Sequence, residues 1–180
     1  MTDVQAPMTL WALTIWFGVI GACVGSFCNV LIFRLPIMLR VGPYSDGSKL
    51  REMTERHGKF TLSVPRSSCP CCDAPIRPWH NVPVLGWLSL KGRCYTCSSP
   101  ISKQYLFVEL LMGVCWGVVA NLTGVSIDSL IMVLMGTLAF CIARVRAQAG
   151  VFIARLWVTF LILACAHFVL SVISFNSLQG

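Results

Sequence analysis

No charged residue interrupts the run from Met8 to Phe33, and none interrupts the run from Leu156 to Gly180. Each run exceeds the ~20 residues that a helix needs to cross ~30 Å of hydrocarbon. A third segment, Gln104 to Ile127, holds a single ionisable residue, Glu109, and a fourth, Ser129 to Ala143, is uncharged but short enough to need its flanks. Charged residues are 12% of the 180, against roughly 25% for soluble domains. A soluble core has no use for uncharged blocks of this length. The sequence therefore predicts an all-α polytopic membrane protein with about four transmembrane helices. The leading residues Met1 to Pro7 contain Asp3 and no Lys or Arg. The basic n-region of a cleaved signal peptide is thus missing, and the first run is expected to be a retained anchor.

Charge placement sets the expected topology. Eleven of the fourteen Lys and Arg residues lie between Arg34 and Lys103, against four acidic residues there. Cytoplasmic loops carry the Lys/Arg excess, so this loop is expected in the cytosol and both termini outside. Arg144, Arg146 and Arg155 mark a second cytosolic turn, and the link from Asn121 to Asp128 has no basic residue. The organisation follows: a first transmembrane helix in 1–33, a cytosolic loop in 34–103, and three further transmembrane helices in 104–180. Pro36 is expected to end the first helix. A short surface helix fits Lys49 to His57. The net charge of +7 also suits a membrane-anchored nucleic-acid-binding zinc protein. Orientation of the chain and contact with anionic lipid explain it more simply, and no nucleic-acid partner is expected.

Between Pro65 and Pro100 the loop has six prolines and five cysteines, which leaves no room for a long helix or a regular sheet. Two C-x-x-C pairs, Cys69 with Cys72 and Cys94 with Cys97, can each offer two sulfurs from a tight turn. Four thiolates complete the tetrahedral shell that zinc favours. The 21-residue spacer is one beyond the usual range for paired knuckles. Disulfides or reactive thiols are the alternatives, and reducing cytosol disfavours the first. Cys71 is the spare sulfur, and His80 is a polar loop residue rather than a fifth ligand. Four cysteines leave no open position for water, so the zinc is expected to be structural, holding a loop with little apolar mass. Trp79, Val82, Val84, Leu85, Trp87 and Leu88 can pack on the knuckle or dip into the membrane interface. The cysteines of the apolar runs, Cys23, Cys28, Cys115, Cys141 and Cys165, are read as small hydrophobes.

Four ordered stretches resemble the amino-terminal region of bacterial type IV prepilin peptidases. They are Gly25-Ser26-Phe27-Cys28-Asn29-Val30-Leu31-Ile32-Phe33-Arg34-Leu35-Pro36, Pro65-Arg66-Ser67-Ser68-Cys69-Pro70-Cys71-Cys72, Asn81-Val82-Pro83-Val84-Leu85-Gly86-Trp87-Leu88, and Gly92-Arg93-Cys94 through Pro100-Ile101-Ser102 with Tyr105, Glu109 and Leu110. The resemblance implies a membrane enzyme that removes the leader of type IV pilins and type II secretion pseudopilins. Such an enzyme then N-methylates the new terminus with S-adenosylmethionine. The family's amino-terminal region, with its zinc knuckle, is the part associated with methylation.

Cleavage in that family is attributed to two aspartates, one in a D-x-D-x-x-x-[LI]-[LIV]-P-D stretch and one in a G-x-G-D motif. Here the first stretch reads Phe140-Cys141-Ile142-Ala143-Arg144-Val145-Arg146-Ala147-Gln148, and the sequence ends before the second motif. The aspartates are Asp3, Asp46, Asp73 and Asp128, and an aspartic dyad needs two carboxylates close enough to share a proton. A pseudoenzyme for proteolysis is expected, with a split subunit or a fragment of a longer enzyme as the alternatives, so no catalytic residue is assigned. It acts on prepilin or pseudopilin precursors as an N-methyltransferase, or as an accessory to a separate peptidase subunit. An ionisable residue inside a span is a functional candidate by default, which singles out Glu109. With Ser26, Asn29 and Arg34 it forms the candidate substrate-binding set.

Overall fold

A computed structural model describes residues 5–150 and 154–177, with the side chains of 5–8, 155 and 170–177 outside the description. The described residues form six α-helices, two short 3-10 helices (Gly42–Tyr44 and Pro78–Asn81) and no strand. The long ones are α1 (Gln5–Leu39), α4 (Lys103–Thr123), α5 (Ile127–Ala149) and α6 (Ala154–Ser177); the loop between α1 and α4 carries α2 (Ser48–His57) and α3 (Leu85–Ser89). In α1, α4 and α5 three stretches are long and apolar enough to cross a membrane: Thr9–Leu39, Lys103–Thr123 and Ile127–Ala149. The fourth expected span corresponds to α6, whose described apolar stretch is Leu156–Val169. The chain termini and the side chain of Arg155, on which part of the topology argument fell, lie outside the described residues.

Helices α1 and α4 pack antiparallel through glycines. A Cβ on Gly21 would sit 2.6 Å from the Met112 carbonyl oxygen, and one on Gly25 would sit 2.9 Å from that of Val108. Backbones approach this closely only where a side chain is missing, which is the usual basis of helix association in lipid. Val108, Met112, Trp116 and Ala120, four residues apart, form the buried ridge of α4. Phe107, Val114, Val118 and Leu122 remain exposed on its other side, where a soluble protein would be polar. Two polar bonds fix the register: Asn121 Nδ2 donates to Thr14 Oγ1 at 3.0 Å, and Asn29 Nδ2 donates to the Tyr105 carbonyl at 3.3 Å. The Trp116 indole donates to Thr137 Oγ1 at 3.1 Å and ties α4 to α5. Asp128 Oδ1 and His167 Nδ1, 3.8 Å apart, link α5 to α6.

Pro36 does not end α1, contrary to expectation, and the helix continues to Leu39. The proline is buried with Ile32 and Ile37, so packing outweighs the hydrogen bond its ring forfeits. The end comes at Arg40, in the left-handed region at φ 51°. There the Val41 N–H donates to the Pro36 carbonyl at 3.1 Å and the Arg40 N–H to that of Ile37 at 3.2 Å. This pair of bonds is a Schellman motif, built without its usual glycine.

Candidate functional site

The loop is organised by two copies of one short pattern: Cys69-x-x-Cys72-x-x-Pro75-Ile76 and, 25 positions on, Cys94-x-x-Cys97-x-x-Pro100-Ile101. Each copy folds the same way. The Asp73 N–H donates to the Cys69 carbonyl at 2.9 Å and the Ser98 N–H to that of Cys94 at 3.0 Å. Cys69 N–H and Cys94 N–H return bonds to Ala74 and Ser99. Asp73 and Ser98 both take positive φ, 53° and 57°. In each, a backbone amide points at the leading sulfur: Cys71 N–H to Cys69 Sγ and Thr96 N–H to Cys94 Sγ, both at 3.4 Å.

The two turns face one another. The sulfurs of Cys69, Cys72, Cys94 and Cys97 all lie within 4.8 Å of one another, with Cys69 to Cys97 at 3.7 Å and Cys72 to Cys94 at 4.0 Å. A tetrahedron of sulfurs with metal bonds of ~2.3 Å has edges of about 3.8 Å. The donor set and its spacing therefore fit a metal ion, and no open coordination position is left. The sulfur of Cys71 stands outside this group. His80 stacks on Tyr95 with ring centroids 5.3 Å apart and is likewise outside it.

Without a cation the thiols of Cys69 and Cys72 hold their protons unequally. Hydrogen bonds from the Ser99 hydroxyl and from the Cys71 and Cys72 amides hold Cys69 down to about 6. The Ala74 amide favours the Cys72 thiolate, but burial and the neighbouring sulfurs oppose it and push that thiol up to about 12. Four adjacent thiolates are mutually repulsive. A divalent cation at their centre removes the conflict, because coordination favours every ligand deprotonated.

The four residues singled out on α1 and α4 are not gathered into one pocket. Arg34, 9% exposed, donates from Nη1 to the Thr61 carbonyl at 2.7 Å and from Nη2 to that of Pro65 at 2.8 Å, with Phe60 against its guanidinium. Glu109, 7% exposed, accepts the Val84 N–H at 2.7 Å. Val84 sits at φ 64°, unfavourable for a β-branched residue, so the carboxylate holds a strained turn against α4. Asn29, 4% exposed, lines a cleft of about 160 Å³ with Ser102, Gln104, Tyr105 and Gln148, and its Oδ1 is buried without a partner. Ser26 is half-buried on α1.

Sequence reasoning missed the cleft's Gln104 and Gln148 and the sulfur-bonding Ser99. Because the Arg34 fork spans two carbonyls, Arg34→Lys should cost about 1.5–3 kcal/mol of local stability. Limited proteolysis should show faster cleavage around 60–65 with unchanged metal content.

Long apolar helices joined by a loop that two cysteine turns close on one metal-sized space define a polytopic membrane protein with a four-cysteine knuckle. A model of the family described as Bacterial Peptidase A24 N-terminal domain matches residues 19–123, and the chain belongs to that family. It is 42% identical over 134 residues to a prepilin leader peptidase/N-methyltransferase of Stutzerimonas stutzeri, covering 72% of this chain and 46% of the relative. The protein so named in Neisseria gonorrhoeae is 41% identical over 105 residues, covering 57% and 37%. A type 4 prepilin-like proteins leader peptide-processing enzyme of Escherichia coli O78:H11 is 47% identical over 98 residues, covering 51% and 33%. The chain thus spans between a third and a half of the length of these relatives. No solved structure matches it.

Proposed function

We propose that this chain is the zinc-bearing module of prepilin or pseudopilin processing in a bacterial inner membrane, serving type IV pili or type II secretion. In this reading it engages the precursor and does not itself cut it. Family membership across both cysteine turns carries the proposal. The carboxylates present support its second half. Asp46 and Asp73 are exposed on the loop, Asp73 beside Arg56 at 3.8 Å, and Asp128 begins α5 at the end remote from Glu109. Within the membrane-spanning helices, Asp128 and Glu109 lie too far apart to share a proton as an aspartic peptidase requires. The zinc holds the loop in shape, the Lys/Arg excess keeps that loop cytosolic with both termini outside, and a separate peptidase subunit supplies the cut. Among the candidate substrate contacts, Asn29 has acceptor capacity to spare at a cleft, whereas Arg34 and Glu109 position the loop. Incubation of the purified, metal-loaded chain with a prepilin should leave the leader attached while the two cross-link. Leader release by this chain alone overturns the reading.

A second reading is favoured by the names of two relatives, each called an N-methyltransferase as well as a peptidase. Here the module binds S-adenosylmethionine and methylates the processed pilin. Calorimetric titration decides it: no heat at millimolar ligand discards the methyltransferase.

A further inference from the structure

The segment from Pro78 to Leu90 contains no Asp, Glu, Lys or Arg, and is bracketed by Arg77 on one side and by Lys91 and Arg93 on the other. Its large side chains turn outward: Leu85 is 64% exposed, Trp79 61%, Leu88 51% and Val82 43%. A loop in water gains nothing from such a surface, and contiguous apolar patches of this kind mark a contact. The height of the segment decides what it contacts. Helix α4 has 21 residues, or about 31 Å at 1.5 Å per residue, which closely matches the ~30 Å of hydrocarbon it must cross. It has no length to spare, so Lys103 stands at the surface and Glu109, six residues on, lies about 9 Å deeper. The Val84 N–H is hydrogen-bonded to that Glu109 carboxylate. Val84, in the middle of residues 78–90, is therefore pinned beside the submerged part of α4.

The backbone of the segment supplies an independent observation. At membrane depth every N–H needs a partner within the protein. Leu85 and Gly86 donate to Pro83 and Val82, Leu88 to Val84, and Leu90, Lys91 and Gly92 to Gly86, Leu88 and Trp87. Pro83 has no N–H to satisfy, and the Trp87 indole reaches the Ile101 carbonyl at 3.4 Å. From Val84 to Gly92 most of the amides are thus met within the protein, as an interfacial position requires.

We propose that residues 78–90 form an interfacial insertion of the loop into the adjoining leaflet, with acyl chains against Val82, Leu85 and Leu88 and anionic headgroups at Arg77, Lys91 and Arg93. The partner is the lipid surface itself, whatever substrate the chain serves, and the inference stands apart from the functional reading above. Benzoylphenylalanine placed at Leu85 or Leu88 of the full chain, reconstituted in phosphatidylethanolamine/phosphatidylglycerol vesicles, should give lipid adducts on irradiation. The same probe at Glu55, on the exposed face of α2, should give at least tenfold fewer. In the unmodified chain, spin-labelled lipid should broaden the Leu85 and Leu88 methyl resonances and a soluble gadolinium chelate should not. Adducts of position 85 with a second copy of the chain, adducts equal at all three positions, or methyls reached by the chelate overturn the insertion.

Discussion

Replacing Cys72 by serine should strip the metal from this chain and unfold residues 66–101 while α1, α4 and α5 stay assembled. The expectation rests on how little else holds the loop. Between residues 61 and 101 only Cys69, Gly86 and Gly92 are buried, and two of these have no side chain to contribute. So little apolar burial cannot by itself order a loop of this length against its backbone entropy, and a metal held by the four sulfurs is expected to tip the balance. Structural zinc contributes about 10–16 kcal/mol in peptides of this kind near neutral pH, and a serine hydroxyl is a poor substitute for one of four thiolates. Elemental analysis under reducing conditions should fall from about one zinc per chain to near none. Proteases should then cut within 66–101, while far-UV helicity changes little because the long helices lie elsewhere. Cys71→Ser, which removes the sulfur outside the cluster, should leave both readings at their original values. Acid should mimic the lesion, since each proton taken up by a thiolate competes with the ion. Full metal content in Cys72→Ser, or an intact loop without metal, would sink the account.

What could be read from the sequence divides along the line between local and long-range physics. The spans were legible because hydrocarbon imposes a rule on composition itself: an uncharged run of sufficient length has few other uses. The four-sulfur cluster was legible because a C-x-x-C turn already fixes two sulfurs and needs only a second copy. Pro36 was misread because its cost as a helix breaker is local, while its compensation, burial beside Ile32 and Ile37, comes from tertiary packing. Glu109 posed a different problem. An acid inside a span announces that something pairs with it, but its partner is the amide of Val84, 25 residues earlier, in a turn whose positive φ no β-branched residue advertises. Arg34 likewise signalled a charge near an interface, and its two carbonyl partners became visible only once the 60–65 loop had folded back on it.

Gly21→Leu should separate α1 from α4, and the sign of the smaller change Gly21→Ala makes the test sharp. Glycine inside a helix costs roughly 0.5–1 kcal/mol relative to alanine, so on propensity alone every helical Gly→Ala change should stabilise. Gly136 of α5 meets nothing within 4 Å of its missing Cβ, and there the gain should appear. At Gly21 the added carbon would lie 2.6 Å from both the Met112 carbonyl oxygen and the Trp116 Cβ. Neither is the free end of a flexible chain, so the helix axes themselves must move. Overpacking costs about 1–3 kcal/mol even where side chains can adjust, and this exceeds the propensity gain. With leucine the shift also breaks Asn121 to Thr14 and Asn29 to Tyr105, the bonds that set the register of the two helices. Thermal denaturation in mild detergent should rank Gly136→Ala above the parent chain, Gly21→Ala below it, and Gly21→Leu lowest. Equal shifts at the two glycines would mean that α1 and α4 do not meet backbone to backbone, and the loop they jointly support would then lack its foundation.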